Sequence, residues 1–339
     1  MLIVKLSALG DIIHALPVSA ALKDAFPHLE ITWAIEELFM PLVEGNPCLS
    51  SVLALPKVRV GNLRSASFLR DYFGRIDAAC GDGIDLSIDL QGLTKSAVIA
   101  LRSGAKTRIG YHWLREGARF VETPVPKRSE SVHIVDQYLD VARFLGASPN
   151  KVRFPFFISA DDEQTVEKAL ADAGVQSGET LVSINPASAQ RVKEWGADRY
   201  ATLMDTLSER TGAACVLVTA DMKVANEVSS LANRPFVNLA GKTTLKQLAS
   251  VLRRSCVHVC GDTGSGHLAA ALETRVVSLM GPTDPNRACP YNQQSSTISK
   301  KQTCGAGCNG RHCAYPRPKC MEAITVAEVA DTVIRAFSV

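Results

Sequence analysis

Short apolar runs rich in β-branched residues alternate with longer amphipathic segments along most of the chain. This alternation is typical of βα units built around parallel sheets. In the first half, the pattern predicts strands at residues 2–6, 31–35, 52–55, 86–90 and 108–111. In the second half, it predicts strands at residues 181–185, 215–219, 257–260 and 276–280. The chain is therefore predicted to be an α/β protein with helices between the strands.

The alternation pauses once, at residues 152–158, where Pro155 interrupts an apolar run and a polar segment follows. A chain of 339 residues also exceeds the usual size of a single core. We therefore predict two Rossmann-like domains, at residues 1–158 and 159–324. Apolar residues recur at helical spacing from 325 to 339 and predict a final helix that packs back across the domains.

Composition narrows the class of protein. The hydrophobic content of 46%, the charged content of 21% and the net charge of +3 describe a globular chain and give no reason to expect a nucleic-acid partner. The local charge is different, because residues 91–128 carry eight basic side chains against two acidic ones. An anionic partner and a solvated basic face both account for this stretch.

The N-terminal segment is apolar enough to be compared with an export signal. However, Lys5, Asp11, His14 and Pro17 interrupt it, and its apolar runs are far shorter than the roughly 20 residues that span a bilayer. We therefore expect a buried strand and helix, and a cytoplasmic protein. Ten cysteines without an export signal are then expected to be free thiols or metal ligands.

Ligands of open parallel sheets bind beyond the carboxyl ends of the strands, so residues just after strands carry the candidate chemistry. Ser7, Gly10 and Asp11 follow the first predicted strand and lead into a helix. An acid at this position either caps the helix or serves as a reactive carboxylate.

A second such turn, GDTGSGHLAAAL, starts at Gly261. Its small residues and the helix that follows favour a phosphate, although its spacing matches neither the P-loop nor GxGxxG. Ser188 and Lys193 follow another strand, and Asp221 follows the next one. A hydroxyl, an ammonium group and a carboxylate are what a nucleoside diphosphate requires.

Six segments then occur in order: KLSALGDIIHALP, LQGLTKSA, REGARF, Lys193-Glu194-Trp195, GDTGSGHLAAAL and GPTDPNR. This series resembles the family 9 glycosyltransferases, the ADP-heptose heptosyltransferases, and its first three segments most resemble the lipopolysaccharide heptosyltransferase I group. The resemblance implies a GT-B type fold, in which two Rossmann-like domains with parallel sheets face a central cleft. The N-terminal domain is then expected to bind the acceptor and the C-terminal domain the ADP-sugar.

The resemblance also implies roles for particular residues. Asp11 matches the general base of an inverting transfer of heptose from ADP-heptose to an acceptor hydroxyl. The matched donor-binding residues are Ser188, Lys193, Asp221, Asp262, Thr263, Gly264 and His267. The matched acceptor-binding residues are Lys95, Arg115, Arg59 and Arg64. The implied acceptor is Kdo-lipid A in lipopolysaccharide core biosynthesis, reached at the cytoplasmic face of the inner membrane with peripheral contact.

No Asp-x-Asp motif stands at a predicted strand end, so catalysis is expected to need no metal or other cofactor. Whether the chain binds a structural metal is a separate question. Cys304, Cys308, Cys313 and Cys320 lie in a glycine-rich, basic insert at 304–320, where zinc, iron and free thiols all remain open. The other six cysteines lie mostly in apolar runs and are expected in the core.

Two alternative functions remain open at this stage. Autotransporter heptosyltransferases with a cysteine-ligated iron finger resemble the chain in its cysteine insert, so a family 9 enzyme that modifies a protein or another saccharide is one alternative. A sugar-nucleotide epimerase or binding protein on the same scaffold is the other.

Overall fold

The computed structural model describes residues 1–81, 83–188, 190–304, 308 and 312–337. The chain forms two compact units, Met1–Phe157 and Ile158–Val339. The division falls one residue before the predicted boundary, in the segment that contains Pro155. No helix in the described ranges is both long enough and apolar enough to span a bilayer.

The first unit is built on six parallel strands in the order β3-β2-β1-β4-β5-β6. These strands are β1 (Leu2–Val4), β2 (Thr32–Glu36), β3 (Ser51–Leu55), β4 (Leu86–Asp89), β5 (Thr107–Gly110) and β6 (Thr123–Pro124). Its helices are α1 (Leu9–Ala25), α2 (Ala66–Cys80), α3 (Thr94–Arg102) and α4 (Ile134–Phe144). Three short 3₁₀ turns, at Glu37–Leu42, Val60–Arg64 and Ala118–Phe120, follow β2, β3 and β5.

The second unit repeats this plan with six parallel strands in the order β12-β11-β10-β7-β8-β9. These strands are β7 (Leu181–Asn185), β8 (Ala214–Leu217), β9 (Val237–Asn238), β10 (Val257–Gly261), β11 (Arg275–Met280) and β12 (Thr297–Ser299). Its longer helices are α5 (Ala160–Asp172), α6 (Ala197–Thr211), α7 (Met222–Leu231), α8 (Leu245–Arg254), α9 (Gly264–Ala271) and α12 (Val326–Phe337). Two single-turn helices, α10 (Pro285–Ala288) and α11 (Lys319–Glu322), and 3₁₀ turns at Arg191–Lys193, Gln294–Ser296 and Lys301–Thr303 complete it.

Both sheets share one strand order, in which the fourth strand along the chain lies beside the first. The direction in which the chain adds strands therefore reverses between β1 and β4, and again between β7 and β10. At such a reversal the connections leave toward opposite faces and open a crevice at the carboxyl ends of the strands. The two crevices are the places to look for ligands.

All nine predicted strands are present, each with ends within two residues of the prediction. The pattern missed β6, β9 and β12, which are two or three residues long and lie at sheet edges. The predicted final helix begins at Val326 and packs against α6, β10 and β11 within the second unit. Its predicted packing across the domains stays a prediction.

In the core of the second unit, Trp195 links the C-terminal segment to α6. The indole of Trp195 is buried, lies 4.9 Å from the ring of Tyr200 and donates a hydrogen bond to the Ile324 carbonyl at 2.9 Å. Because Ile324 lies two residues before α12, this bond fixes the point from which the helix runs back over the sheet.

Replacing Trp195 with Phe should lower the free energy of unfolding by about 1–3 kcal/mol, because the variant loses a buried hydrogen bond and part of an aromatic contact. Urea denaturation followed by far-UV circular dichroism measures the loss. Trp113→Phe, at an exposed position, is the control and should stay within about 0.5 kcal/mol of the parent. Equal losses in the two variants would show that Trp195 has no anchoring role.

Candidate active site

The buried amine of Lys5 and the side-chain amide of Gln91 form the floor of the crevice in the first unit. Lys5, directly after β1, is buried, and its Nζ donates to the Leu90 carbonyl at 2.8 Å and to the Tyr138 hydroxyl at 2.9 Å. Burial lowers the pKa of Lys5, and the negative charge of Asp11 opposes that change. The Gln91 side-chain oxygen accepts hydrogen bonds from the Leu6 and Ser7 N–H groups, across the gap between β1 and β4.

Asp11 lies in the first turn of α1 and is exposed. The residue at the N-cap position is Ala8, so the interpretation of Asp11 as the capping residue is wrong. Asp11 follows β1 at the carboxyl edge of the sheet, where its negative charge acts on the buried amine of Lys5. A solvent-facing carboxylate in this place can accept a proton from a bound hydroxyl group.

Lys95 is held beside the loop that precedes α1, the helix that carries Asp11. Its Nζ lies 2.8 Å from the Glu36 carboxylate and 3.5 Å from Ser7 Oγ, and the Glu36 side chain is almost fully buried. A buried carboxylate that fixes a partly exposed ammonium group leaves the remaining N–H bonds of that group for an anion. Sequence reasoning missed Glu36, although an acid at the end of the apolar strand TWAIE was a visible signal.

Arg115 is placed at the same edge by its backbone. Its N–H donates to the Gly92 carbonyl at 2.9 Å, and its exposed guanidinium lies 5.2 Å from the centre of the Trp113 ring. Arg59 and Arg64 are exposed beside the turn that follows β3, also at the carboxyl edge. Within the described residues, no hydrogen bond or ion pair joins either of them to Lys95 or Arg115.

A pair of buried carboxyl groups supports the loop under Arg115. Asp89 Oδ1 accepts hydrogen bonds from the N–H groups of Gln91 at 2.6 Å and Gly92 at 2.9 Å. Glu122 lies beside Asp89, and burial together with the neighbouring carboxylate raises the pKa of Glu122 to about 9. The pair therefore retains a proton at neutral pH, since two adjacent buried carboxylates cannot both ionise.

In the second unit, the crevice holds a tight ion pair. Lys193 Nζ lies 2.6 Å from Asp262 Oδ2, and the Thr283 hydroxyl donates to the same oxygen at 2.6 Å. Burial acts to raise the pKa of Asp262, but the charge and hydrogen bond of Lys193 outweigh it and lower that pKa. His267 is buried close by and its charge acts in the same direction.

Next to this pair, α9 begins at Gly264, with Thr263 at the N-cap position. The Thr263 side chain makes no capping hydrogen bond, which leaves the first N–H groups of the helix to another acceptor. A helix N-terminus beside an ammonium group is a favourable place for a phosphate. Lys193, Asp262, Thr263, Gly264 and His267 thus lie together at this edge of the sheet, and their contact with a donor stays a prediction.

A buried polar chain underlies the α9 turn. Ser183 Oγ lies 3.0 Å from His258 Nδ1, and His258 Nε2 lies 3.0 Å from Ser265 Oγ. Ser265 Oγ also accepts from Asn185 Nδ2 at 2.9 Å and lies 3.1 Å from Thr263 Oγ1. Burial lowers the pKa of His258 to about 3, so the ring stays neutral and bridges two hydroxyl groups. Sequence reasoning missed His258, a polar residue inside the apolar strand VHVCG.

Ser188 and Asp221 follow the neighbouring strands β7 and β8. The Ser188 hydroxyl donates to the Gln190 carbonyl at 3.0 Å. Asp221 is the N-cap of α7, where its Oδ1 accepts from the N–H groups of Lys223 and Val224. Both residues lie at the same sheet edge as Lys193, and their contact with a donor stays a prediction.

The four cysteines of the insert line one small cavity of about 30 Å³, with Pro282 and Pro318 among the other residues around it. Cys308 Sγ lies 3.2 Å from the His312 carbonyl oxygen. Within the described ranges, no three His, Cys, Asp or Glu side chains are arranged closely enough to hold a metal ion. All ten cysteines are free thiols, and Cys256 is exposed, contrary to the expectation for an apolar run.

The Asp89–Glu122 pair generates a prediction for the pH dependence of stability. The folded pKa of Glu122 is raised above its unfolded value, so its stabilising contribution is present below about pH 4.5 and is lost as the pH rises toward 9. Glu122→Gln should therefore gain stability relative to the parent between pH 5 and pH 8.5, by up to about 1.4 kcal/mol per pH unit. Urea denaturation at a series of pH values measures this difference.

Glu30→Gln, at an exposed position in the same unit, is the matched control and should leave the pH dependence as it is. The shared proton is disproved if the parent and Glu122→Gln show the same pH profile.

Comparison with known proteins places this geometry in a family. The chain is similar to the lipopolysaccharide core heptosyltransferase OpsX of Haemophilus influenzae, with 23% identity over 88% of this chain and 83% of that protein. Its fold is similar to a family 9 glycosyltransferase from Veillonella parvula, with a TM-score of 0.84 and 21% identity over 99% of this chain and 96% of that chain. It is also similar to the E. coli heptosyltransferase WaaC solved with ADP, with a TM-score of 0.76 and 23% identity over 99% of both chains.

These neighbours share the GT-B fold, as predicted for this chain. The sequence profile described as glycosyltransferase family 9 (heptosyltransferase) matches residues 77–317, which is more than half of the chain. The protein therefore belongs to glycosyltransferase family 9, the heptosyltransferases.

Proposed function

We propose that this enzyme transfers heptose from ADP-heptose to a hydroxyl group of Kdo-lipid A, with inversion at the anomeric carbon, in lipopolysaccharide core biosynthesis. The observation that carries the proposal is the division of charge between the two crevices. One presents the exposed carboxylate of Asp11 with fixed cations around it, and the other presents Lys193 at the N-terminus of α9.

The second crevice suits the diphosphate of the donor. The ammonium group of Lys193 has three N–H bonds, and its pairing with Asp262 leaves others for phosphate oxygens. The first N–H groups of α9 and the dipole of that helix add to the stabilisation. Ser188 and Asp221 follow β7 and β8 at the same edge and are assigned to the phosphate and the ribose of ADP.

The first crevice suits an anionic acceptor. Lys95 is fixed by Glu36, and Arg115 is fixed through Gly92, so both present cations without losing much freedom on binding. Carboxylates of Kdo and phosphates of lipid A are the complementary groups. Arg59 and Arg64, exposed beside the turn after β3, are assigned to the same acceptor.

The proposed reaction is a single displacement. Asp11 removes the proton from the acceptor hydroxyl, and the oxygen forms a bond to the anomeric carbon on the face opposite to ADP. The bond between that carbon and the β-phosphate oxygen breaks, and ADP leaves with the electron pair. Lys193 and the N-terminus of α9 stabilise the negative charge that develops on the diphosphate.

Incubation of the protein with ADP-heptose and Kdo-lipid A, followed by mass spectrometry of the lipid, tests this assignment. A mass gain of one heptose per lipid is expected, together with ADP release that depends on added acceptor. ADP release at the same rate without acceptor would contradict transfer. Parallel incubations with a lipid-free saccharide and with a protein acceptor test the alternative substrates.

Asp11→Asn should lower the rate of transfer by about 10²–10⁴-fold, because the amide cannot accept the proton. The affinity for ADP, measured by calorimetry, should stay unchanged. Asp24→Asn is the matched control on the last turn of the same helix, where an exposed ion pair with Arg153 contributes little to stability. Full transfer activity in Asp11→Asn would remove this residue from the mechanism.

We further propose that the cysteine insert holds a structural zinc or iron ion. Four thiols around one cavity of about 30 Å³ are a suitable donor set, since both metals are held by four cysteine thiolates in structural sites. Binding would require the thiols to converge and would release their protons.

Protein purified without chelator is expected to contain about one zinc or iron ion per chain, measured by plasma mass spectrometry. Cys304→Ser and Cys313→Ser should each lose the metal and lower the melting temperature, because a closed site contributes directly to folding. Cys256→Ser, at an exposed position outside the insert, should keep both. If the purified parent contains no metal and the two insert variants melt at the same temperature as the parent, the thiols are free.

A further inference from the structure

Four large apolar side chains are exposed in one region of the first unit. Trp113 and Phe120 lie in the segment after β5, with 46% and 78% of their surface exposed, and Val98 and Leu101 are exposed on α3. Folding buries such side chains when it can, so a group of them on one surface indicates a partner.

Contacts join this segment to α3. The Gly117 N–H donates to Thr94 Oγ1 at 3.1 Å, and the Glu116 carboxylate accepts from the same hydroxyl at 3.0 Å. The 3₁₀ turn at Ala118–Phe120 packs against α3. Val98 and Leu101 are three residues apart and lie on one face of that helix. We call the surface formed by Trp113, Phe120, Val98 and Leu101 the apolar rim.

Cations are interleaved with the apolar rim. The Arg115 guanidinium lies 5.2 Å from the centre of the Trp113 ring, and that of Arg119 lies 4.7 Å from the centre of the Phe120 ring. Both arginines are exposed. Of the two acids in residues 91–128, Glu122 is buried and retains a proton at neutral pH, so Glu116 alone opposes eight basic residues in this stretch.

Aromatic rings beside arginines match the layered chemistry of a lipid surface. Rings of Trp and Phe enter the boundary between headgroups and acyl chains, and guanidinium groups remain with the phosphates. The rim also lies close to Lys95, on the first turn of α3, and to Arg115, the residues assigned to the acceptor. A lipid acceptor presents its sugar at the same surface that the rim would contact.

We propose that the apolar rim and its arginines dock the enzyme on an anionic lipid bilayer, with Phe120 and Trp113 inserted at the headgroup level. This deepens the proposed function, on which it rests for the choice of a membrane lipid as the acceptor. The proposed contact is peripheral and reversible, because only a few side chains enter the bilayer.

The chain carries its own reporter for this contact. Of its three tryptophans, Trp33 and Trp195 are buried, and their indole N–H groups are bonded to the Lys5 and Ile324 carbonyls. Trp113 is the exposed one, so a change of its surroundings dominates any change in emission. Vesicles of phosphatidylcholine with 30% phosphatidylglycerol are the probe, and vesicles of phosphatidylcholine alone are the reference.

The anionic vesicles are expected to move the tryptophan emission to shorter wavelength and to co-sediment with the protein, and high salt should weaken both effects. Phe120→Ser should weaken vesicle binding by about tenfold or more, since a phenyl ring then no longer leaves water. Phe144→Ser, which removes another exposed phenyl ring (58% exposed) on α4 of the same unit, should bind as the parent does. Trp113→Phe should lose the spectral shift and keep most of the binding.

The transfer assay separates this proposal from the proposed function. With a deacylated, water-soluble acceptor, Phe120→Ser should turn over like the parent, while its activity on acceptor embedded in vesicles falls. The docking proposal is overturned if the parent does not bind anionic vesicles, or if Phe120→Ser and Phe144→Ser bind them equally well. It is also overturned if Phe120→Ser loses transfer activity on the soluble acceptor. Vesicle binding without any heptose transfer would leave the docking surface in place and refute the proposed function alone.

Discussion

The reversal of strand order in a parallel sheet is the constraint from which both crevices follow. At each reversal, the chain must satisfy polar groups that no adjacent loop covers, and this protein does so with an amide side chain. Gln91 accepts the N–H groups of Leu6 and Ser7 between β1 and β4. Asn185, at the end of β7, accepts the Ala187 N–H and donates to Ser265 in the first turn of α9, which follows β10. In both units an amide side chain therefore links the segments that follow two neighbouring strands.

Burial then sorts the ionisable groups into those that build the crevices and those that face solvent. Lys5, Glu122 and His258 are buried, and in each case burial shifts the pKa toward the neutral form. A neutral group can bridge backbone and hydroxyl partners without the desolvation cost of a full charge. Among the groups assigned to substrate, by contrast, Asp11 and Arg115 are exposed, and Lys95 and Lys193 are paired across a short distance.

Much of this arrangement could be predicted from the chain itself. The central strands are apolar and β-branched, and glycine-bearing turns follow β1 and β10, so strand positions and candidate ligand turns were visible in the sequence. The edge strands were not, because TP, VN and TIS contain almost no apolar run. Edge strands of this kind owe their conformation to the neighbouring strand and not to their own composition.

The supporting partners could not be predicted for a different reason. Glu36 meets Lys95, and Glu122 meets Asp89, only because β2, β4 and the segment after β5 are neighbours in the folded sheet. The capping interpretation of Asp11 failed by three residues, since the N-cap of α1 is Ala8. Helix boundaries depend on backbone geometry that a pattern of side chains resolves only to within a turn.

The short bond between Lys193 and Asp262 has a consequence for selectivity. An empty pocket with an unpaired ammonium group would attract any small anion in the cell. Here the positive charge of Lys193 is already largely offset by the Asp262 carboxylate, whose Oδ2 lies 2.6 Å from Lys193 Nζ. Only a ligand that brings several negative oxygens at once, and that reaches the end of α9 as well, competes with the resident carboxylate. We therefore expect this site to favour a diphosphate over chloride or a single phosphate.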